Sequence, residues 1–344
     1  MAKLTFFRAK VTRNPETSLT EIAILDYRHS QRTAIHGLTD LFIEASRISR
    51  EMGGATARTL RVTHWRPGTS GRELEVSFDT HAGHPARPAV IIAPPTLHGP
   101  PALETSAAFA GWLRRKHEEG TTLCSVCGGT FLLADTGLLR NRRATTHWGY
   151  AEELARRHPD IHVDGDKVIV DDGDIITAGG IMAWTDMGLK LIDRFLGSAV
   201  MLTTAKFFLI DTAGREQRFY SSFSPKLRHG DEAVLKVQHW LQKEGLRKAT
   251  LPAMAALAGL EERTFLRRFR KATELNPTEY CQRLRVGKAR EMLELTNRTI
   301  DQVAWDVGYE DTSSFRKVFQ KVVGLKPGDY RKRFAVTPSA PAHQ

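Results

Sequence analysis

Cysteine is scarce in this 344-residue chain: three residues, an odd number, at Cys124, Cys127 and Cys281. That count cannot build the disulfide framework of a small secreted domain. Long apolar runs are absent too, since none approaches the ~20 residues that a membrane-spanning helix needs. The opening stretch MAKLTFFRAKVTRNPETSLTE has no secretory apolar segment or cleavage site. A reducing cytoplasm is therefore the expected compartment, with no membrane partner. Cys124 and Cys127 would need two further ligands nearby to hold zinc, and no second C-x-x-C is present, so neither a metal nor a cofactor is expected. A redox C-x-x-C needs both thiols at a helix start, whereas Cys124 falls inside a predicted strand, and Cys281 reads as a small buried residue of a helix.

What is present is positive charge, unevenly spread. From residue 231 onward there are 21 Lys+Arg against 14 Asp+Glu, a net of +7 out of the chain's +11. The last third of the chain is thus the part suited to meet phosphate. The same third contains an internal repeat. Phe265, Phe269, Lys271, Leu275, Pro277 and Tyr280 recur fifty residues later as Phe315, Phe319, Lys321, Leu325, Pro327 and Tyr330. Two aromatics one helical turn apart anchor one face of a helix, the Pro closes the segment, and the Tyr belongs to the next. Ahead of each copy lies a short helix ending in Gly, Leu251–Gly259 and Ile300–Gly308, and Asp311 is placed to cap the helix that follows. Helix, Gly turn, then a helix exposing Arg, Lys, Ser and Thr is a helix-turn-helix arrangement.

Over about 231–334 the pattern resembles the DNA-binding domain of the AraC/XylS transcription regulators, on RTFLRRF (263–269), YCQRLRVGKA (280–289), IDQVAWDVGY (300–309), SFRKVF (314–319) and GLKPGDYR (324–331). The resemblance implies two helix-turn-helix units joined by a long helix over Pro277–Leu295, with the recognition helices entering successive major grooves about 34 Å apart. Carried over by position, base reading falls on Arg263, Leu266 and Arg267 in the first unit and on Thr312, Ser313 and Lys317 in the second. Arg263 and Arg267 could each bond a guanine edge in bidentate fashion, and Leu266 a thymine methyl. Arg268, Arg270, Lys271, Arg316, Lys321, Arg331, Lys332 and Arg333 read equally as contacts to the DNA backbone or as solvated charges. One departure is Glu261, where the family usually starts its first recognition helix with Ser; a carboxylate suits the helix dipole but repels phosphate.

The N-terminal part reads as α/β. Strands are expected over Glu21–Tyr27, Leu60–Trp65, Glu73–Phe78, Ala89–Ala93 and Thr121–Val126, helices over Leu38–Met52 and Leu103–Glu119, and a hairpin over Val168–Gly180 with a D-D-G-D turn. Apolar strands alternating with helices indicate a mostly parallel, flavodoxin-like sheet. At TTLCSVCGGTFLLA (121–134) the chain passes from strand to helix through Cys-Gly-Gly, the sequence form of a nucleophile elbow. Near a helix N-terminus the dipole favours thiolate. With His147 twenty residues on, the stretch 20–197 resembles the ThiJ/PfpI branch of the class I glutamine amidotransferase-like fold. This domain order resembles the GlxA-type regulators.

The resemblance brings an enzyme reading with it: Cys127 as nucleophile, His147 as partner. Two features oppose it. The position of the supporting acid in the enzyme relatives aligns with Ala34, and their Gly-Gly oxyanion segment is replaced by Ala93-Pro94-Pro95, where proline has no N–H to donate. Losing one such donor costs about 2.7–4 kcal/mol of transition-state stabilisation. The expectation is therefore an effector pocket lined by Cys127, Gly128, His147, Trp148 and Trp184, without catalytic residues. Cys127 and His147 read alternatively as inherited features of the fold, and the two tryptophans as core residues or as walls of an aromatic pocket suited to a cationic ligand. The resemblance implies small amines, amino acids or betaines as effectors.

The expected organisation is a sensor domain at 1–197, a linker at 198–230, an all-α domain with two helix-turn-helix units at 231–336 and a disordered tail at 337–344. The expected function is a sequence-specific transcription regulator, an activator working with promoter DNA, RNA polymerase and a second copy of itself. The alternative is a Cys-dependent hydrolase or glyoxalase-type enzyme fused to a DNA-binding domain.

Overall fold

A computed structural model describes residues 19–54, 57–68, 73–212, 214–243 and 245–336; the expected tail at 337–344 lies outside them. The chain forms two compact units that divide between Gln217 and Arg218.

The first unit runs β1 (Leu19–Leu25), α1 (Arg32–Gly53), β2 (Thr59–Pro67), β3 (Leu74–Asp79), β4 (Pro88–Ala93), α2 (Leu103–Glu118), β5 (Thr122–Val126), α3 (Gly129–Ala134), β6 (Arg143–Ala144), α4 (Ala151–Arg157), β7 (His162–Val163), β8 (Ile169–Asp171), β9 (Ile175–Ala178), α5 (Trp184–Leu196) and α6 (Ser198–Phe207). Seven strands form one sheet in the order β3-β2-β1-β4-β5-β9-β8. β2, β1, β4, β5 and β9 are mutually parallel, and β3 and β8 add antiparallel edges. Strand alternation sends Ile22, Ile24, Cys124 and Val126 to a core shared with α1 and α5. Ala23, Leu25 and Leu123 go to the opposite core with Phe109 and Leu113 of α2. The doubly covered sheet explains why these strands read as nearly continuous apolar runs.

α1 begins at Arg32, six residues before the expected Leu38. Its first turns place Ala34 and Ile35 in the core, and the interruption at Gly37 is a packing requirement: a Cβ there would lie 2.5 Å from Trp184 Cη2. The expected D-D-G-D hairpin is β8–β9, with Gly173 at φ +89° and Asp171 Oδ1 accepting the Gly173 N–H.

The second unit contains α7 (Glu232–Lys243), α8 (Leu251–Ala258), α9 (Glu262–Thr273), α10 (Pro277–Leu295), α11 (Ile300–Asp306), α12 (Thr312–Val323) and α13 (Pro327–Phe334). It has two cores, and the sequence repeat is a structural one. Phe265, Phe269 and Tyr280 pack tilted and edge-to-face, with ring centroids 5.3 and 5.2 Å apart, in the first; Phe315, Phe319 and Tyr330 do the same at 5.6 and 5.5 Å in the second. α10 belongs to both, giving Tyr280 and Cys281 to one core and Val286, Ala289 and Leu293 to the other. Its nineteen residues make a rod of about 28 Å.

The expected linker at 198–230 is apportioned between the units. α6 packs on the first through Val200 and Ala205, residues up to Gln217 stay with it, and the chain from Arg218 packs on the second. Apolar residues spaced along a connecting segment will pack wherever a core edge is open.

Candidate DNA-reading helices and the cysteine elbow

Each helix-turn-helix turn needs a left-handed backbone, supplied by Gly259 at φ +65° between α8 and α9 and by Gly308 at φ +91° between α11 and α12. Side chains cap most of the starts: Thr250 for α8, Asn276 for α10, Thr299 in a capping box with Gln302 for α11, and Asp311, as expected, for α12 through the Ser313 and Ser314 N–H groups. Glu261 starts α9 with no side-chain cap bond.

Arg263, Leu266 and Arg267 lie together on the exposed face of α9, opposite the buried Phe265 and Phe269. Neither arginine makes an ion pair or a side-chain hydrogen bond among the described residues, so both guanidinium forks are free to meet a base edge. On α12, Ser313 and Lys317 are exposed and Thr312 is half-buried in the first turn. The fifty-residue correspondence pairs Arg263 with Ser313 and Arg267 with Lys317. It pairs Leu266 with Arg316, whose guanidinium is 3.7 Å from Asp301. The two helices therefore present different chemistry at equivalent places. Three of the remaining basic residues have partners inside the protein: Arg268 pairs with Asp231 at 2.7 Å, Arg331 donates to the Arg298 carbonyl, and Arg333 lies over the Phe219 and Tyr220 rings.

The elbow has the expected backbone. Cys127 follows β5 at φ +55°, a strained value for a residue with a Cβ. The two glycines after it are obligatory for space. A Cβ on Gly128 would stand 2.1 Å from Thr96 Oγ1, and one on Gly129 would stand 2.4 and 2.5 Å from the Ala93 and Pro94 carbonyl oxygens. Those carbonyls also settle what the end of β4 offers. It presents oxygens rather than N–H groups, and Tyr27 Oη donates to the Pro94 oxygen.

The thiol chemistry departs from expectation. Cys127 is 1% exposed, and burial pushes its thiol up to about 11, against the smaller opposing effect of the Gly128 N–H. A helix of only six residues cannot outweigh that desolvation. His147 is held below the usual imidazole range by burial, and its Nδ1 accepts the Gly149 N–H at 3.0 Å. Among the described residues no hydrogen bond joins it to Cys127. Ala34, the residue that the resemblance aligns with the enzyme relatives' acid, is buried on α1. Cys124 and Cys127 share one core, because the elbow ends the strand alternation at Val126, yet both are free thiols, as is Cys281. Of the expected pocket walls, His147 and Trp148 are half-buried neighbours with rings 5.2 Å apart. Trp184 is 8% exposed and packed on Gly37, a core residue and not a cage wall.

None of the five expected pocket residues lines the cleft beside β1 and β2. That cleft, of about 540 Å³, is lined by Asp26, Tyr27, Arg28, His29, Arg32 and Arg66, among others. Arg32 pairs with Asp26 and Arg66 with Glu75. His29, at φ +66°, is strained at its rim. Carboxyl ends of parallel strands next to the place where strand order reverses, here between β1 and β4, are where open α/β sheets bind ligands.

Sequence reasoning missed Gln217. Its buried carboxamide donates to Thr145 Oγ1 and to the Thr146 and Lys167 carbonyls at 2.8–3.0 Å, and accepts the Trp148 N–H at 2.9 Å. No local pattern marks it; the one trace is Gly179, where a Cβ would stand 1.9 Å from Gln217 Nε2.

Residues 42–194 match the DJ-1/PfpI family and residues 254–333 a helix-turn-helix domain. The chain is 27% identical over 241 residues to the HTH-type transcriptional regulator CdhR of Pseudomonas aeruginosa, covering 70% of this chain and 68% of that one. It is 28% identical over 233 residues to the HTH-type transcriptional regulator GlxA of Rhizobium meliloti, covering 67% and 71%. Among solved structures, Drosophila melanogaster DJ-1beta aligns at 16% identity and a TM-score of 0.41, over 56% of this chain and 98% of that one. With a doubly wound parallel-sheet domain followed by two helix-turn-helix units, the chain belongs to the AraC/XylS family of transcription regulators that carry an N-terminal DJ-1/PfpI domain.

Proposed function

We propose that the chain is a cytoplasmic, sequence-specific activator that binds promoter DNA through α9 and α12, acts on RNA polymerase as a homodimer, and is controlled by a small molecule bound in its first unit. The observation that carries the reading is the pair of equivalent three-aromatic cores threaded by one helix, each presenting an exposed polar recognition face. Arg263 and Arg267 read guanine edges, Leu266 contacts a thymine methyl, and Thr312, Ser313 and Lys317 serve the second site.

The effector sits at the carboxyl end of the parallel sheet, where the rim of the elbow at His147 and Trp148 and the Tyr27 cleft are both found. With Arg32 and Arg66 paired to Asp26 and Glu75, Arg28 is the cleft cation that would meet a ligand carboxylate, which selects amino acids and betaines over simple amines. Catalysis by Cys127 is disfavoured by its neutral, buried thiol and by the carbonyl-lined end of β4.

The test is fluorescence anisotropy of the full chain on duplexes from upstream of its own gene, across a salt series. Binding should weaken steeply with salt. Arg267→Ala should lose about 1–3 kcal/mol on the preferred site and relax selectivity at one base pair. Uniform weakening on every duplex would reassign Arg267 to phosphate, and absence of any salt-sensitive, sequence-preferring binding would remove the proposal. A thermal-shift series with amino acids and betaines checks the effector site, with Arg28→Ala expected to abolish the shift.

A further inference from the structure

The last residues of the first unit and the first residues of the second are each fastened to their own unit. On the near side, Arg215 pairs with Asp186, Lys167 pairs with Glu216 at 2.7 Å, the Gln217 N–H bonds the Asp166 carbonyl, and the Gln217 side chain makes its four hydrogen bonds. Two of those four bonds grip Thr146 and Trp148, the residues on either side of His147, and Thr146 Oγ1 in turn bonds the Cys127 carbonyl at 2.7 Å. On the far side, the very next residue is already fastened. Arg290, a buried guanidinium of α10, bonds the carbonyls of Arg218, Phe219 and Ser221. Arg218 and Phe219 lie against the end of α12, where a Cβ on Gly324 would stand 2.5 Å from Arg218 Nε, and Phe223 meets Tyr280 of the first core edge-to-face at 5.2 Å.

We infer that Gln217 and Arg290 are positioning residues that couple effector occupancy to DNA reading. The inference rests on the regulator reading above. Adjacent Cα atoms are held about 3.8 Å apart, so a shift of the Thr146–Trp148 segment that drags Gln217 must be passed to Arg218 or absorbed by rotation at one junction. What Arg218 receives it delivers to α10 and to the end of the second recognition helix, which set the placement of both DNA readers. Coupling of this kind is reciprocal, so DNA bound to the second unit must be felt around His147.

The experiment is amide hydrogen exchange on the full-length protein with and without a promoter duplex, no effector being required. The wild type should show exchange at 145–148 and 166–168 slowed about five-fold or more by DNA. Two glycines inserted between Gln217 and Arg218 interrupt the single turn at Gln217–Phe219 and add about 7 Å of slack, while the residues that anchor each side are unchanged. That variant should keep its DNA affinity and its exchange rates without DNA, yet lose the effect at 145–148. Arg290→Met, which releases the far side alone, should lose it as well and serves if the insertion does not fold. Duplex binding by the wild type with no change at 145–148, or an effect that persists in the variants, overturns the coupling. Failure of the wild type to bind any duplex instead overturns the regulator reading itself.

Discussion

Cys127 in its native setting should be among the least reactive thiols such an elbow can present. At pH 7.5 an ordinary thiol with a pKa near 8.5 is about one-tenth thiolate, whereas a thiol at about 11 is about one part in 3000, a deficit of roughly 300-fold. The thiolate of a weaker acid is the better nucleophile, which returns about ten-fold, so the net deficit is about thirty-fold before access is counted. Access lowers the rate further, because Cys127 is 1% exposed and reagent must wait for local opening. Cys124 and Cys281 are also buried, with thiols pushed up to about 12 and about 11. Under native conditions at pH 7.5, iodoacetamide should therefore label none of the three at a rate near that of glutathione, and all three after unfolding. The rate at Cys127 should climb about ten-fold per pH unit towards pH 11. One thiol per chain reacting as fast as glutathione or faster at pH 7.5, located at Cys127 by peptide mass spectrometry, would refute the reasoning and restore the nucleophile.

The same shifts carry a stability consequence. Above about pH 9 the unfolded chain releases thiol protons that the folded chain keeps until about 11, so the unfolded state binds fewer protons and stability falls as pH rises, by roughly 1 kcal/mol per pH unit per thiol; thermal melts from pH 8 to 10.5 check it, and a flat profile opposes it. Gly129→Ala should destabilise the first unit by about 1–3 kcal/mol or more, since the new Cβ meets two backbone oxygens that cannot step aside. Gly111→Ala in α2, where a Cβ meets nothing, should instead stabilise by about 0.5–1 kcal/mol, both read by denaturant titration. Glu261→Ser supplies the cap bond that α9 lacks and removes a carboxylate from its start; the second unit should gain about 0.5–1 kcal/mol and bind DNA more tightly, and a lower melting temperature would count against this.

Much of the candidate site was legible because it is written in local spacing. The fifty-residue repeat exposed both three-aromatic cores, Asp311 announced a helix start, and Cys-Gly-Gly after an apolar strand announced the elbow. Two points depended on packing. The sequence placed a thiol at a helix end, where burial beside a six-residue helix instead favours the protonated form. Trp184 read as core residue or cage wall, and its seat against Gly37 makes it core.

The amino-acid order by itself determined the two-unit architecture, the parallel sheet and the paired readers, because periodicity, capping and turn chemistry act over a few residues and leave their mark in the string. Tertiary structure alone decided the ionisation of Cys127, the partners of Arg268 and Arg290, and the burial of Gln217. Each of these depends on which distant groups replace water around a side chain, and no stretch of neighbouring residues encodes that.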